Sequence, residues 1–298
     1  MNILITGGSG FIGSALTEFF LHHGYNITIL SRKPIKVTKN LSKVKVVTTF
    51  EEIGMDDKID VIINLAGASI NKRWNEDYKK LLINSRVEVT KGVIGLINSL
   101  KTKPKLLISA SAIGYYGTQN SSYIDEESAC VDDFTHKLCD LWESEARLAQ
   151  KLGVRTCITR LGVVLGNGGG ALKQMLPAFK LGLGGKIGSG EQFFSWVHMH
   201  DLIGAFEFLI KDDRQQGIYN LTSPNPVTNE IFTKTLGKAL HRPTIFTLPA
   251  FVIKMIFGEM GDKLLLNGAA VYPKKLSDSG YEFQFKTIEA ALENILKL

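Results

Sequence analysis

The first thirteen residues, Met1–Gly13, restrict the fold of this chain more than any other stretch. The apolar run Ile3–Ile5 has the length of a buried strand, and Gly7, Gly10 and Gly13 follow it at intervals of three. Apolar residues then recur with the period of a helix at Phe11, Ile12, Ala15, Leu16, Phe19 and Phe20. A strand, a glycine-rich turn and a helix in this order predict that the helix N-terminus holds the pyrophosphate of a dinucleotide.

Each glycine of this turn has its own expected role. Gly7 permits the tight turn, Gly10 lets the backbone approach the pyrophosphate, and Gly13 lets the helix pack closely on the strand. The residues that we expect to surround the dinucleotide are Gly7, Gly8, Ser9, Gly10, Phe11, Ile12 and Gly13. The alternative is a turn whose glycines serve only packing.

The second strand, Asn26–Leu30, is followed by Ser31 and Arg32. An acidic residue at this position would accept hydrogen bonds from the ribose of NAD, whereas a cation would pair with the 2′-phosphate of NADP. Because Arg32 stands here with Lys33 beside it, NADP is the predicted cofactor, and Ser31 and Arg32 are its predicted contacts. The alternative is a solvated basic turn.

Composition argues against several other classes of function. Lys and Arg exceed Asp and Glu by 35 − 29 = 6 without forming one basic run, so no nucleic-acid partner is predicted. The three cysteines lack metal-ligand spacing and suit a reducing compartment, so no metal site is predicted. No stretch reaches the ~20 apolar residues of a membrane span, and the chain opens on a strand rather than a signal peptide. We therefore expect a cytoplasmic protein without a membrane partner.

The order of elements predicts the fold class. Strand and helix patterns alternate six times before a mixed tail, which predicts an α/β fold. We expect a doubly wound parallel Rossmann sheet with a small α+β C-terminal substrate domain. The dinucleotide-binding domain is placed at residues 1–170, with 191–215 returning to it. The substrate domain is placed at 171–298, its last part at about 245–298.

Ligands of a parallel sheet bind beyond the carboxyl ends of its strands. The fourth strand runs into Leu65, Ala66 and Gly67, and the small residues that end this run would let the cofactor lie against the backbone. The rule also selects Ser109, Ser111, Tyr115 and Tyr116 after the fifth strand and Arg160 after the sixth. Ser85 and Arg86 are candidates on the helix at about 75–100. The alternatives are a backbone bond for Ser85, an exposed position for Arg86 and plain packing for the tyrosines.

Several segments occur in an order typical of one superfamily. They are Thr6–Gly13, Asp60–Gly67, Ser109–Gly117, Arg160–Gly166, Gly188–Leu202 and Tyr219–Pro224. Together they resemble an extended short-chain dehydrogenase/reductase, the superfamily of nucleotide-sugar epimerases and dehydratases. Within it, the chain is most similar to atypical "epimerase family" proteins with a short C-terminal domain of unknown function. The marks of that branch are Asn64–Gly67, Arg73-Trp74, Ser85-Arg86, Gly168–Leu172, Ser195–His198 and Pro273–Leu276.

The resemblance implies a catalytic Tyr and Lys, four residues apart, on the helix after the fifth strand, with a Ser at the strand end. Ser111 or Ser109 can supply the Ser, but the Tyr and Lys positions fall near Thr135 and Cys139. Neither residue can replace its counterpart in proton transfer. Three accounts remain. The phenol comes from Tyr115 or Tyr116; the positive charge comes from Arg86, Lys137 or His136; or the chain binds NADP(H) without redox turnover.

The substrate that the resemblance implies also changes. Relatives acting on nucleotide sugars commonly place an Arg near the diphosphate where this chain has Phe194. Losing that charge-assisted bond would cost on the order of 1.5–3 kcal/mol, so we expect a small, more apolar substrate. Its predicted lining is Trp74, Phe194, Trp196 and the helix at Met175–Phe179, with packing in the core as the alternative for the aromatic residues. For His198 and Asp201 we favour structural roles.

Two functions from different classes follow. The first is an NADP(H)-dependent oxidoreductase or epimerase for an unidentified small molecule. The second is a catalytically silent regulatory or interaction protein that senses NADP(H), which the missing Tyr and Lys favour. By analogy with the superfamily, the long helices at about 75–100 and 134–152 could form a homodimer contact.

Overall fold

A computed structural model describes residues 1–31, 44–120 and 123–297. The strands are β1 (Asn2–Thr6), β2 (Asn26–Leu30), β3 (Val44–Val47), β4 (Val61–Asn64), β5 (Leu106–Ala112), β6 (Arg155–Leu161), β7 (Val163–Leu165), β8 (Gly185–Ile187), β9 (Phe193–Phe194), β10 (Trp196–His198), β11 (Gly217–Leu221), β12 (Val227–Thr228) and β13 (Phe246–Leu248). The helices are α1 (Phe11–His22), α2 (Glu76–Ser99), α3 (Phe134–Lys151), α4 (Gly170–Lys180), α5 (Met199–Lys211), α6 (Asn229–Ala239), α7 (Ala250–Phe257), α8 (Glu259–Leu265), α9 (Lys274–Asp278) and α10 (Ile288–Leu296).

The central sheet has seven strands in the order β11-β6-β5-β4-β1-β2-β3, all of them parallel. Strand order reverses beside β1, because Ile3 pairs with Ile27 of β2 on one side and with Val61 of β4 on the other. This reversal is the topological switch point, where open α/β sheets form a ligand crevice. The predicted fold class, a doubly wound parallel Rossmann sheet, is confirmed.

Side chains of β1 alternate between two apolar layers. Ile3 and Ile5 pack with α1 and α5, whereas Leu4 packs with α2 on the opposite face. This alternation follows from the two-residue period of a strand, and burial on both faces explains why the sequence shows continuous apolar runs. The helices therefore cover both sides of the sheet and leave its carboxyl edge open to the loops.

Besides the central sheet, the described residues form three short strand pairs, β10 with β7, β12 with β9 and β13 with β8. Residues 193–198 form two short strands, β9 and β10, instead of one continuous strand. The division falls at Ser195, whose hydroxyl donates to Ala269 O at 2.7 Å and accepts from Val271 N at 2.9 Å. The break is required because β9 pairs with β12 whereas β10 pairs with β7. A run of five residues has no periodicity that would predict it.

Two C-terminal helices extend over the side of the Rossmann domain. Lys263 of α8 forms an ion pair with Asp133 at 3.3 Å, and Glu259 of the same helix pairs with Lys79 of α2 at 2.6 Å. The Arg73 guanidinium donates to the carbonyl of Met255 in α7 at 2.9 Å. These contacts place α7 and α8 next to the start of α3. None of the helices in the described ranges is long and apolar enough to span a membrane.

Candidate functional site

The glycine-rich turn connects β1 to α1 with little space for side chains. Gly7 has φ = +70°, a conformation that glycine adopts at little cost, and Gly10 N donates to Gly7 O at 2.9 Å. A Cβ atom on Gly13 would lie 2.3 Å from Gly7 O, so only glycine fits there. No side chain caps α1, and its first turn contains no acidic residue. The turn therefore presents the positive end of a helix with backbone N–H groups close to its surface.

Buried polar side chains hold this turn against β4 and β5. The Thr6 hydroxyl donates to Asn64 Oδ1 at 2.7 Å and accepts from the backbone N–H groups of Leu65 and Ala66 at 3.1 and 3.2 Å. The Asn64 amide then donates to Thr90 Oγ1 at 2.9 Å and to Ser109 Oγ at 3.3 Å. Ser109 is thus part of a fully buried network that aligns the strand ends.

Two α2 side chains shape the loop after β4. Ser85 Oγ accepts from Ala68 N at 2.9 Å, and Arg86 donates to Ala68 O at 3.1 Å and to Leu82 O at 3.0 Å. A Cβ on Gly67 would lie 3.0 Å from Arg86 Cζ, so the loop and the guanidinium are in close contact. Burial lowers the pKa of Arg86 from its ordinary value. Ser85 and Arg86 therefore hold the loop after β4 in place by hydrogen bonds to its backbone, and neither side chain extends freely into the crevice.

A depression of about 420 Å³ lies directly beside the turn. It is lined by Ser9, Gly10, Phe11, Ser14, Ala15, Glu18, Asn167, Gly168, Gly169 and Met199. The Phe11 ring packs closely against the loop that contains Gly168 and Gly169. A Cβ on Gly169 would lie 2.1 Å from a carbon of that ring. The side chains of Phe11 and the half-buried Ile12 both pack against the core, while their backbone groups lie in the first turn of α1. A second depression of about 570 Å³, beside Phe208 and Tyr281, contains none of the predicted site residues.

The end of β2 lies close to the turn, since Ser9 Oγ and Ser31 Oγ are 3.5 Å apart. This contact brings the predicted cofactor residue Ser31 next to the glycine-rich segment. Arg32, on which the preference for NADP depends, lies outside the described residues, so its role stays a prediction.

Thr135 and Cys139, at the positions expected for a catalytic Tyr and Lys, both have structural roles in α3. Thr135 Oγ1 donates to Asp133 Oδ1 at 2.6 Å as part of the N-terminal cap of α3. The Cys139 thiol is buried 3.7 Å from Ala112 O, and burial raises its pKa to about 12. Lys137 lies on the exposed side of the same helix. The Arg86 guanidinium lies over the ring of Trp142, 5.2 Å from its centroid, so a cation contacts α3 three residues after Cys139.

The buried carboxylate of Glu143 in α3 accepts hydrogen bonds from two of the predicted site residues, Ser111 and Arg160. It accepts from Ser111 Oγ at 2.7 Å, from Arg160 at 2.8 and 3.0 Å, and from Arg147 at 2.8 Å. Burial alone would lower the pKa of Arg160, but the hydrogen bonds and charge of Glu143 raise it. Ser111 and Arg160 are therefore engaged with a protein carboxylate.

The two tyrosines after β5 differ in environment. Tyr116 is buried, its hydroxyl donates to Asn220 Oδ1 at 2.7 Å, and burial raises its pKa to about 12. Tyr115 is half-buried, with the Arg160 guanidinium 3.3 Å from its ring centroid. No hydrogen bond of the Tyr115 hydroxyl is found among the described residues. Tyr115 therefore has the more available phenol of the two.

The aromatic residues expected to line one substrate pocket fall into two clusters, with Phe194 and Trp196 in one and Trp74 in the other. Trp196 is fully buried in the core with Phe232, and its indole donates to Asn225 O at 3.2 Å, so its predicted place in a pocket was wrong. Phe194 stacks on Phe232 with ring centroids 4.4 Å apart. Trp74 packs in a different cluster, which also contains Met260 of α8. The alternative of core packing holds for Trp196.

Several residues that organise the site were not selected from the sequence. They are Thr6, Asn64, Asp133, Glu143 and Asn220. Two signals were present. Thr6 and Asn64 are polar residues that directly follow the apolar runs Ile3–Ile5 and Val61–Ile63. Glu143 stands one turn after Cys139 on a buried helix face, where an unpaired carboxylate would be costly. Among the described residues, no group of His, Cys, Asp and Glu could hold a metal ion.

Comparisons with known proteins agree with this architecture. Residues 3–222 match the model of the NAD dependent epimerase/dehydratase family, and residues 248–295 match a domain of unknown function, DUF1731. The chain is 38% identical over 296 residues to the epimerase family protein SA0724 of Staphylococcus aureus, covering 99% of this chain and 98% of that protein. It is 35% identical to the chloroplastic SDR39U1 homologue of Arabidopsis thaliana, covering 100% of this chain and 87% of that protein.

Solved structures extend the agreement to three dimensions. The crystal structure of human epimerase family protein SDR39U1 with NADPH superposes with a TM-score of 0.91 at 36% identity, covering 100% of this chain and 99% of that one. A UDP-glucuronic acid 4-epimerase from Bacillus cereus, with a TM-score of 0.79 at 17% identity, shares the fold. The chain therefore belongs to the NAD-dependent epimerase/dehydratase family, with the extended short-chain dehydrogenase/reductase fold and a C-terminal DUF1731 segment.

Proposed function

We propose that this chain binds NADP(H) in the crevice beside β1 and uses it as an oxidoreductase or epimerase on a small molecule. The observation that carries the proposal is the cradle formed by Gly7, Gly10 and Gly13 at the uncapped, acid-free start of α1. Such a helix end suits a pyrophosphate in both charge and shape. The NADPH bound by the human relative supports the choice of cofactor.

The remaining cofactor contacts are assigned by position. Leu65, Ala66 and Gly67 offer backbone beside the turn, because Thr6 and Arg86 hold that loop from opposite sides. Ser9 and Ser31 lie together at the end of β2, where Arg32 would meet the 2′-phosphate. Ser85 and Ser109 are positioning residues in this scheme, since each is bonded to protein groups that form the crevice.

Bound NADPH would supply a hydride, so the chain must supply a proton and hold the substrate oxygen. We assign the proton to the Tyr115 phenol, because Tyr116 is buried and committed to Asn220. We assign the positive charge to Arg86, which lies over the Trp142 ring of α3, whereas Lys137 is exposed. In this scheme Ser111 is a positioning residue, because its hydroxyl donates to Glu143, the carboxylate that also holds Arg160. The Arg160 guanidinium in turn packs on the ring of Tyr115. The substrate class stays small and not a nucleotide sugar, because Phe194 replaces a cation.

The cofactor proposal is tested with Gly10→Ala. A Cβ on Gly10 would meet only Gly7 O, at 3.2 Å, so the variant should fold while its methyl group occupies the face meant for pyrophosphate. Gly95→Ala is the matched control, because nothing lies within 4 Å of a Cβ there. We expect Gly10→Ala to raise the Kd for NADPH about tenfold or more, equivalent to about 1.4 kcal/mol, and the control to leave it unchanged. Absence of NADPH binding by the wild-type chain would refute the proposal.

A second candidate is a protein that binds NADP(H) and regulates a partner without turnover. The observation in its favour is that Thr135 and Cys139 stand where the usual Tyr and Lys would act. NADPH oxidation with a panel of small aldehydes and ketones distinguishes the two. Turnover that falls at least tenfold in Tyr115→Phe supports the enzyme, whereas tight binding without turnover across the panel supports the regulator. Cytoplasmic residence and a homodimer through α2 and α3 remain predictions.

A further inference from the structure

Cys130 differs from the other cysteines of the chain. The sequence contains three, and the structure buries Cys139 and Cys157 while it exposes Cys130. The Cys130 thiol lies 3.7 Å from Nε2 of His136, within hydrogen-bonding reach for sulfur. An exposed nucleophile beside a base is the first requirement for an activated thiol.

A third group orients the base. Nδ1 of His136 lies 2.6 Å from the carbonyl oxygen of Tyr115, and a carbonyl only accepts, so Nδ1 carries the hydrogen. This assignment leaves Nε2 as an acceptor facing the thiol. The His136 ring also packs edge-on against Tyr115 with centroids 4.8 Å apart. The order thiol, imidazole, carbonyl is the arrangement that activates nucleophiles in unrelated proteins.

The segment that carries Cys130 is held on both sides. Val131 N donates to Tyr116 O at 2.9 Å, and the Gln119 amide donates to Ala129 O at 3.3 Å and to Tyr116 O at 2.9 Å. The first turn of α3 fixes His136, whose backbone N–H donates to Asp133 Oδ1 at 3.1 Å. The thiol and the imidazole are therefore presented by two anchored segments, and their contact does not depend on a free loop.

We propose that Cys130 and His136 form a thiol-modification site that takes low-molecular-weight disulfides. The thiol proton passes to Nε2 of His136 as sulfur attacks one sulfur of the disulfide. The S–S bond of the small molecule breaks, and a mixed disulfide with Cys130 forms. The leaving thiolate takes the proton from His136 and departs as a thiol, so no further oxidant or reductant is consumed. This inference does not depend on the proposed cofactor chemistry.

The test measures the rate of modification of the full chain by the neutral reagent 4,4′-dithiodipyridine, followed by absorbance and intact mass. The matched reference is Cys130→Ser combined with Gln150→Cys, which places an exposed thiol on α3, the helix that carries His136. We expect wild-type protein to gain one adduct about tenfold or more faster than this reference. Cys130→Ser alone should gain none on that timescale, since the two remaining thiols are buried.

The role of His136 is tested with His136→Asn, whose amide can still donate toward Tyr115 O while no base faces the thiol. We expect its modification rate to fall to that of the reference thiol. Thermal melting shows whether the variant is folded. Equal rates for wild-type Cys130 and the Gln150→Cys thiol would overturn the proposal whatever the His136 variant does. A folded His136→Asn variant that reacts as fast as wild type would also overturn it.

Discussion

Glu143 provides the sharpest test of how this structure is held together. Its carboxylate is buried and neutralises Arg160, which is only 1% exposed. Glu143→Gln keeps the shape of the side chain but removes its charge. The new NH₂ group would also face the hydrogen-bond donors of Ser111, Arg147 or Arg160, which it cannot accept from. Removing one partner of a buried pair leaves an uncompensated charge, which costs about 3–5 kcal/mol in free energy of unfolding. We expect a loss of this size in urea or guanidinium denaturation followed by circular dichroism.

The control for this measurement is Glu88→Gln. Glu88 forms an ion pair with Lys91 at 2.9 Å on the surface of α2, where its side chain is 63% exposed, so at most ~1 kcal/mol should be lost. Adding Arg160→Met to Glu143→Gln should recover part of the stability, because the unpaired cation is then gone. A loss below ~1 kcal/mol for Glu143→Gln, equal to the control, would refute the account of Arg160 as a buried cation that depends on Glu143.

The remaining predictions concern pH and cofactor choice. His198 is buried, and burial with the nearby His200 lowers its pKa from 6.5 to about 4. The unfolded chain therefore takes up a proton below pH 6.5 that the native chain does not, so stability is complete above 6.5 and declines as pH falls toward 4. We expect a loss of about 2 kcal/mol between pH 7.5 and 5 in urea titrations. His198→Asn, which can still cap α5, should show a smaller loss; an identical loss would contradict this cause. Arg32→Asp should raise the Kd for NADPH relative to NADH by about tenfold or more, measured by fluorescence titration, and an unchanged ratio would remove Arg32 from the site.

Local patterns were sufficient for the elements of the sheet. The strand Asn26–Leu30 has the predicted bounds, and the helices at 76–99 and 134–151 begin and end within a residue of expectation. These segments are long or strongly patterned, and strand and helix periods are set by backbone geometry alone. The glycine turn could also be predicted, because the positive φ of Gly7 and the contact of Gly13 with Gly7 O are local to the turn.

The sequence pattern predicts which side chains are buried, but it does not predict which residues they contact. An apolar pattern shows that Trp196 avoids water without showing whether it meets a ligand or Phe232. In the same way, Ser111 at a strand end has the right chemistry for a substrate, yet its hydroxyl donates to Glu143, 32 residues further along the chain. The pairing of Tyr116 with Asn220 spans 104 residues. Contacts at such separations have no local signature.

The sequence by itself determined the Rossmann sheet, the dinucleotide cradle and the absence of the usual Tyr and Lys, because each depends on residue type at fixed spacing. Only the tertiary structure decided which polar groups are free to act. It engaged Ser111 and Arg160 with Glu143, bonded the Tyr116 hydroxyl to Asn220 and brought His136 to Cys130, while the Tyr115 hydroxyl has no hydrogen bond among the described residues. The physical reason is that a side chain's chemistry depends on its partners and its exposure, which distant parts of the chain supply on folding.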